Sequence, residues 1–219
     1  MSENLIQTLA VVALPLLFAI TVHEVAHGWM ANRLGDSTAK MMGRLTLNPF
    51  KHIDPVGTVI LPVVMLMLSG FMFGWAKPVP ITVENLKGGR RDMALVALAG
   101  PASNLIMALI WAGIAALVTS IYTGGSEGIA TPLIYMAGYG IFINLVLMII
   151  NLLPIPPLDG GRILESLLPG PMAWKLSRLE PYGMFIVFGL ILLGGWERFV
   201  QPLIGTLTGV ILAIFGMHS

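Results

Sequence analysis

Two histidines and a glutamate lie close together in the first apolar segment, as His23-Glu24-Val25-Ala26-His27. In a helix, His23 and His27 are one turn apart on the same face, so both ring nitrogens can reach one metal ion. Glu24 lies about 100° around the helix from His23, where it can take a proton from water instead of coordinating the metal. The spacing predicts a catalytic zinc site; the alternative is a pair of core histidines satisfied by backbone groups.

The composition predicts that these ionisable residues lie in a membrane protein. Of 219 residues, 56% are hydrophobic and 11% are charged, and the mean hydropathy is +0.86, whereas about 25% of the residues of a soluble domain are charged. A carboxylate inside a membrane helix costs roughly 2.5–3.5 kcal/mol on insertion scales, so we interpret Glu24 as functional. The chain has no cysteine, so zinc would be held by imidazole and carboxylate groups. The basic residues are scattered, and we expect no nucleic-acid partner.

The apolar stretches predict an all-α polytopic membrane protein, a bundle of about five to six transmembrane helices. We expect one integral-membrane domain over 1–219, with a core at 5–165 and a C-terminal helical hairpin at 180–217. The stretches are about 5–31, 56–73, 93–121, 131–153, 182–196 and 199–217.

The stretch 56–73 has an unusual charge environment. The loops on either side of it, 32–55 and 74–92, are both rich in Lys and Arg, and basic loops favour the cytoplasmic side. The stretch is also short and contains Pro62 and Gly70, which interrupt a helix. We therefore predict a re-entrant or broken segment that enters the membrane and returns, which places residue 27 and the residues after 153 on one membrane face.

The two histidines need a third protein ligand if one position of the zinc ion is to stay open for water. Asp159 is the strongest candidate, because the prolines and glycines of Pro156-Pro157-Leu158-Asp159-Gly160-Gly161 force a tight turn that can direct a carboxylate into the bundle. The alternative is an ordinary turn with a helix-capping aspartate. Weaker candidates are Asp36, Asp54, Asp92, Glu165, Glu180 and His52.

Three motifs occur in the chain in the order His23-Glu24-x-x-His27, Ala99-Gly100-Pro101-x-x-Asn104 and Asn151-x-x-Pro154-x-x-x-x-Asp159-Gly160-Gly161. Together they resemble the site-2 protease family of intramembrane zinc metalloproteases. The resemblance covers about residues 20–165 and is to a compact member without a PDZ domain. It implies that His23, His27 and Asp159 bind one zinc ion, that Glu24 is the general base and that Asn151 lies near the scissile carbonyl.

Residues 73–81 resemble the short extended region with which members of this family are thought to pair unfolded substrate. We therefore expect an extended region near 74–84, with substrate contacts at Lys77, Pro78, Val79 and Pro80. Asn104, the last residue of the second motif, and Asn144 have a simpler interpretation than a catalytic role: amides in membrane helices commonly form hydrogen bonds between helices.

The expected activity is hydrolysis of a peptide bond in or near a transmembrane segment of a membrane protein or peptide. The expected location is the cytoplasmic membrane, within the lipid bilayer, with the active site toward the cytosolic side. One alternative is a membrane zinc transporter or scaffold without hydrolysis, which should carry polar groups through the whole bilayer depth. Another is a zinc hydrolase acting on a lipid or lipidated peptide, with Glu165 or Glu180 as third ligand.

Overall fold

Helices form the architecture of this protein. The computed structural model describes residues 2–60, 76–122 and 130–217, with residues 64 and 128. No strand occurs among these residues, which confirms the predicted all-α class. The helices are α1 (Ser2–Arg33), α2 (Thr38–Met41), α3 (Arg90–Ile121), α4 (Ala130–Asn151), α5 (Asp159–Leu167), α6 (Gly170–Ser177), α7 (Glu180–Leu190) and α8 (Gln201–Ile214).

Four helical segments of the described chain are long and apolar enough to cross a membrane. The described residues thus contain four such segments, fewer than the five to six predicted for the chain. The last two apolar stretches follow one helical path from Glu180 to Ile214, which is broken where Gly194 adopts a φ of 83°. Most of the stretch 56–73 lies outside the described residues; only the turn Pro55–Ile60 and residue 64 belong to the structure. The four segments are Val11–Arg33, Arg90–Ile121, Ala130–Asn151 and Glu180–Ile214.

The main apolar core lies where α3 packs against α4 and α8. Small residues of α3, including Ala108 and Ala112, are fully buried there beside Leu145 of α4 and Ile204 of α8. Small side chains let membrane helices approach closely, and the resulting van der Waals contact holds them together. The helices α1, α3 and α4 all pack against one another, and α3 makes the most extensive contacts with the other two.

The two basic loops lie on the same side of the bundle. The backbone N–H of Lys77 donates to the carbonyl of His52 across 2.9 Å, and the N–H of Lys87 donates to the carbonyl of Leu34 across 3.1 Å. The described residues His52 and Lys77, which flank the stretch 56–73, therefore lie together, as an excursion that leaves and returns on one side requires.

The predicted extended region near 74–84 is present over residues 76–82 and ends before residue 83. Residues 76–82 form no helix, and Thr82 has extended backbone angles (φ −108°, ψ 103°). A short 3-10 turn, Val83–Asn85, follows and leads into α3. Residues 74 and 75 lie outside the described part of the chain.

Candidate metal centre and active site

His23, His27 and Asp159 converge at the centre of the bundle. Oδ2 of Asp159 lies 3.2 Å from Nε2 of His23 and 3.3 Å from Nε2 of His27. The two Nε2 atoms are 3.0 Å apart. All three residues are buried, with 7%, 7% and 8% of their surface exposed. Among the described residues, these three form the one group of histidine and acidic side chains with the spacing of a metal site.

Asp159 reaches the histidines because it begins α5. Leu158 is the N-cap, so the aspartate side chain is directed to the histidines and not to a cap. The positive end of the helix dipole favours a carboxylate at this position. The ordinary capping interpretation of Asp159 is therefore not what the structure shows.

Glycines make room for the three side chains. A Cβ atom on Gly100 of α3 would collide with Nε2 of His27 and would lie 2.7 Å from Cε1 of His23. A Cβ on Gly161 would lie 2.6 Å from the backbone of Ile155. Gly100 of the second motif and Gly161 of the third are thus required because neighbouring atoms approach their backbones too closely for a side chain.

The hydrogen bonds of the two histidines test whether a metal fits between them. Nδ1 of His27 lies 2.7 Å from the carbonyl oxygen of Val96, and Nδ1 of His23 lies 2.6 Å from Oδ1 of Asn104. Both partners accept hydrogen bonds, so each neutral ring carries its proton on Nδ1 and presents a bare Nε2 lone pair. Oδ2 of Asp159 likewise has no hydrogen-bond donor. Three electron-pair donors that converge require a cation, and two imidazoles with one carboxylate suit zinc.

Glu24 lies beside this group and not within it. Its Oε2 atom accepts a hydrogen bond of 2.8 Å from the backbone N–H of Val79, and the residue is half-buried. The carboxylate is therefore held against the extended segment, on the next position of α1 after His23. A second oxygen, Oε1, has no partner within the described part of the chain.

Three further contacts hold the extended segment 76–82. Lys77 is bonded to His52, as described above, and Arg44 donates from Nη2 to the carbonyl of Lys77 across 3.0 Å. Asp36 accepts from the N–H of Thr82 across 2.7 Å. Burial acts to raise the pKa of Asp36, but its hydrogen bonds, from Thr38 foremost, lower it below the usual range. The backbone of this segment is thereby fixed by side chains from α1 and the loop after it.

A groove of about 540 Å³ opens between the extended segment and α5. Pro78, Val79 and Pro80 line one side, so three of the four expected substrate contacts border it. Lys77 is not among the lining residues; its backbone is used in the contacts with His52 and Arg44. The other side is lined by Pro156, Pro157, Arg162, Glu165, Ser166 and Glu180.

Asn151, the last residue of α4, is half-buried and donates from Nδ2 to the carbonyl of Leu147 across 2.9 Å. One N–H of its amide is thereby used within its own helix, and the other has no partner in the described part of the chain. The structure does not join Asn151 to the histidines or to Asp159 by a hydrogen bond.

The weaker ligand candidates have other roles. Asp54 caps the turn that follows it, since it accepts from the N–H of Gly57 across 2.7 Å. His52 is 2% exposed and its Nε2 lies 2.9 Å from the carbonyl of Thr46. Asp92 accepts from the N–H of Gly88. Glu165 and Glu180 line the groove and are not part of the three-residue group. The alternative of a lipid hydrolase would require one of them to join the two histidines.

The structure also shows contacts that the sequence interpretation missed. Asn104 was expected to join helices, and it does, but one of its two partners on α1 is His23 itself; the other is the carbonyl of Ala19. The supporting roles of Val96 and Arg44 had no sequence pattern, because one acts through its backbone and the other is an isolated basic residue in a loop.

A membrane-compatible helical bundle that gathers two histidines and an aspartate beside a glutamate defines a membrane metallopeptidase. The family model described as Peptidase family M50 matches residues 112–194. The chain is 43% identical over 188 residues to YwhC of Bacillus subtilis, covering 86% of this chain and 79% of that protein. It is 30% identical over 188 residues to Rip2 of Mycolicibacterium smegmatis, and the match covers 86% of this chain and 69% of that protein. Both are named as candidate zinc metalloproteases.

The chain therefore belongs to peptidase family M50, the site-2 proteases. It is a multi-pass membrane protein and a metallopeptidase of that family. No solved structure gives a significant match to it.

Proposed function

We propose that this protein is an intramembrane zinc metalloprotease that cleaves a membrane-protein substrate in or near a transmembrane segment. The observation that carries the proposal is the convergence of Nε2 of His23, Nε2 of His27 and Oδ2 of Asp159 at a buried point between apolar helices. These three groups would hold one zinc ion per chain. When bound, zinc supplies Lewis acidity, which polarises a carbonyl group and makes water a stronger acid.

Glu24 is the proposed general base. It has one carboxylate oxygen fixed by Val79 and a second that is available to a water molecule. It would take the proton of the attacking water and then pass it to the departing amine, as a single carboxylate can do in both halves of a hydrolysis.

Asn151 is the proposed donor to the substrate carbonyl as negative charge develops on it. Its second amide N–H would serve, because the first is bonded to Leu147. Removal of one such donor from other enzymes lowers the rate by about 10²–10³.

The substrate must lose its helical structure before it can react, because a helix keeps its carbonyls in internal hydrogen bonds. The segment 78–81 and the groove beside it would hold the unwound chain extended. The Val79 contact with Glu24 supports this assignment, because it brings the expected substrate-binding segment next to the proposed base.

The proposed location is the cytoplasmic membrane, with the site toward the cytosol. The support comes from the two basic loops, 32–55 and 74–92, which lie together near the end of α1 that carries His27. Basic loops favour the cytosolic side of a membrane. Cleavage is therefore expected in the cytosolic half of a substrate helix.

The test compares Glu24→Gln with His23→Ala in liposomes that contain a membrane-protein substrate. A protease loses cleavage in both variants and keeps its zinc in Glu24→Gln. A zinc transporter or scaffold would instead retain its function in Glu24→Gln.

In the same liposomes, a substrate stiffened by Ala and Leu around the cleavage point should be cut more slowly than one weakened by Gly; equal rates would contradict the unwinding step.

A further inference from the structure

Two buried amides connect α4 to the proposed zinc ligand on α1. Asn104 of α3 and Asn144 of α4 are both fully buried. Nδ2 of Asn104 donates to Oδ1 of Asn144 across 2.9 Å, and Oδ1 of Asn104 lies 2.6 Å from Nδ1 of His23. A continuous line of hydrogen bonds therefore crosses three helices.

The direction of every bond in this line is determined by its far end. Nδ2 of Asn144 donates to the carbonyl of Gly140 across 2.8 Å, and a carbonyl can only accept. Oδ1 of Asn144 therefore faces Asn104, which must present its Nδ2; the same Nδ2 also reaches the carbonyl of Ala19 across 3.3 Å. Oδ1 of Asn104 is left for His23, whose Nδ1 must then carry the proton. The line begins at an acceptor on α4 and ends by leaving Nε2 of His23 bare.

We propose that Asn104 and Asn144 are positioning residues for the metal: together they set the tautomer and ring orientation of His23, and so the zinc affinity. Asn104 acts directly on His23. Asn144 has no hydrogen bond to His23 or Asp159, and acts only by keeping the amide of Asn104 in the correct orientation. His27 needs no such line, because its Nδ1 is bonded to the backbone of Val96. The inference rests on the proposed zinc site.

The test measures the zinc affinity of the full-length protein in detergent, by competition with a chelator. Outer-shell partners of metal-binding histidines change metal affinity by about 10–100-fold when they are removed. We expect a loss in that range for Asn104→Leu and a smaller loss for Asn144→Leu. Asn104→Asp keeps an oxygen against Nδ1 of His23 and should stay within about tenfold of the unmodified protein. Ser103→Ala is the matched control, because its hydroxyl bonds only to Gly100 of its own helix.

The double variant separates a relay from a general loss of packing. In the Asn104→Leu background, Asn144→Leu should cause no further loss of zinc affinity, since its effect passes through Asn104. Additive losses, or Asn104→Asp binding as poorly as Asn104→Leu, would overturn the proposal. If Asn104→Leu does not fold, the zinc affinity of Asn144→Leu is compared with that of the unmodified protein. Unchanged affinity would overturn the proposal that Asn144 acts on His23 through Asn104. Failure of the zinc site itself would look different, because His23→Ala would then bind zinc as well as the unmodified protein.

Discussion

The backbone N–H of Val79 donates to Oε2 of Glu24 across 2.8 Å. Glu24 belongs to the helix that carries both histidines, and Val79 belongs to the extended segment that borders the groove. One hydrogen bond thus sets the distance between the proposed base and the proposed substrate-binding segment. A substrate aligned along residues 78–81 would be aligned with Glu24 at the same time.

Removing this hydrogen bond should slow cleavage without removing the metal. Val79→Pro deletes the N–H and keeps an extended backbone between two existing prolines. A hydrogen bond to a charged group is worth about 1.5–3 kcal/mol, so we expect kcat to fall by roughly 10–150-fold. The measurement is cleavage of a membrane substrate in liposomes, with zinc content measured in parallel.

Val79→Ala is the control for that experiment, because it keeps the N–H and shortens the side chain. It should retain most of the activity. Equal rates for Val79→Pro and Val79→Ala would show that the bond to Glu24 does not matter for the reaction.

A methyl group at residue 100 should weaken metal binding. The Cβ of Gly100→Ala would collide with His27 and press on His23, so the rings must move apart. We expect zinc affinity to fall by at least about tenfold, in line with other disturbances of ligand orientation. Gly138→Ala is the control, since a Cβ there meets no atom within 4 Å. Zinc binding by Gly100→Ala that matches Gly138→Ala would contradict the observed approach.

Asp36 should control the order of the extended segment. Asp36→Asn keeps Oδ1, which accepts from Thr38, but replaces Oδ2, which accepts from Thr82, with a donor. The N–H of Thr82 then loses its partner, and we expect faster hydrogen exchange at residues 81–83. Exchange within α4 serves as the internal reference and should not change. Unaltered protection at Thr82 would mean that Asp36 does not hold the segment.

Glu165 should make the protein less stable as the pH rises. Its burial and the nearby charge of Glu180 raise the pKa of Glu165, so the folded state disfavours its ionised form. A carboxyl whose pKa is raised on folding contributes stability at low pH and loses that contribution as the pH rises through the folded pKa. Glu165→Gln should therefore have a higher melting temperature than the unmodified protein at about pH 8, with a smaller difference near pH 4. An equal difference at both pH values would contradict this assignment.

The sequence indicated that His23, His27 and Asp159 come together, but it did not indicate which residues support them. His23, His27 and Asp159 could be selected because few residue types bind zinc and their motifs are rare in an apolar chain. The bonds from Asn104 to His23 and from Val79 to Glu24 depend on how α1 crosses α3 and where a loop returns, which no local pattern determines. The count of spanning segments among the described residues is below the prediction partly because the Gly194-Gly195 pair and the charges after it resemble a turn, whereas the structure joins the helical residues on either side of Gly194 through a kink.

The meeting of His52 and Lys77 has an evolutionary consequence. Because the backbones of the two residues are hydrogen-bonded, they close a loop of the chain, and the entropic cost of closing a loop grows only slowly with its length. Relatives could gain, lose or exchange this insert while the histidines, the aspartate and the groove keep their places. Variation in substrate choice could arise there without any redesign of the chemistry.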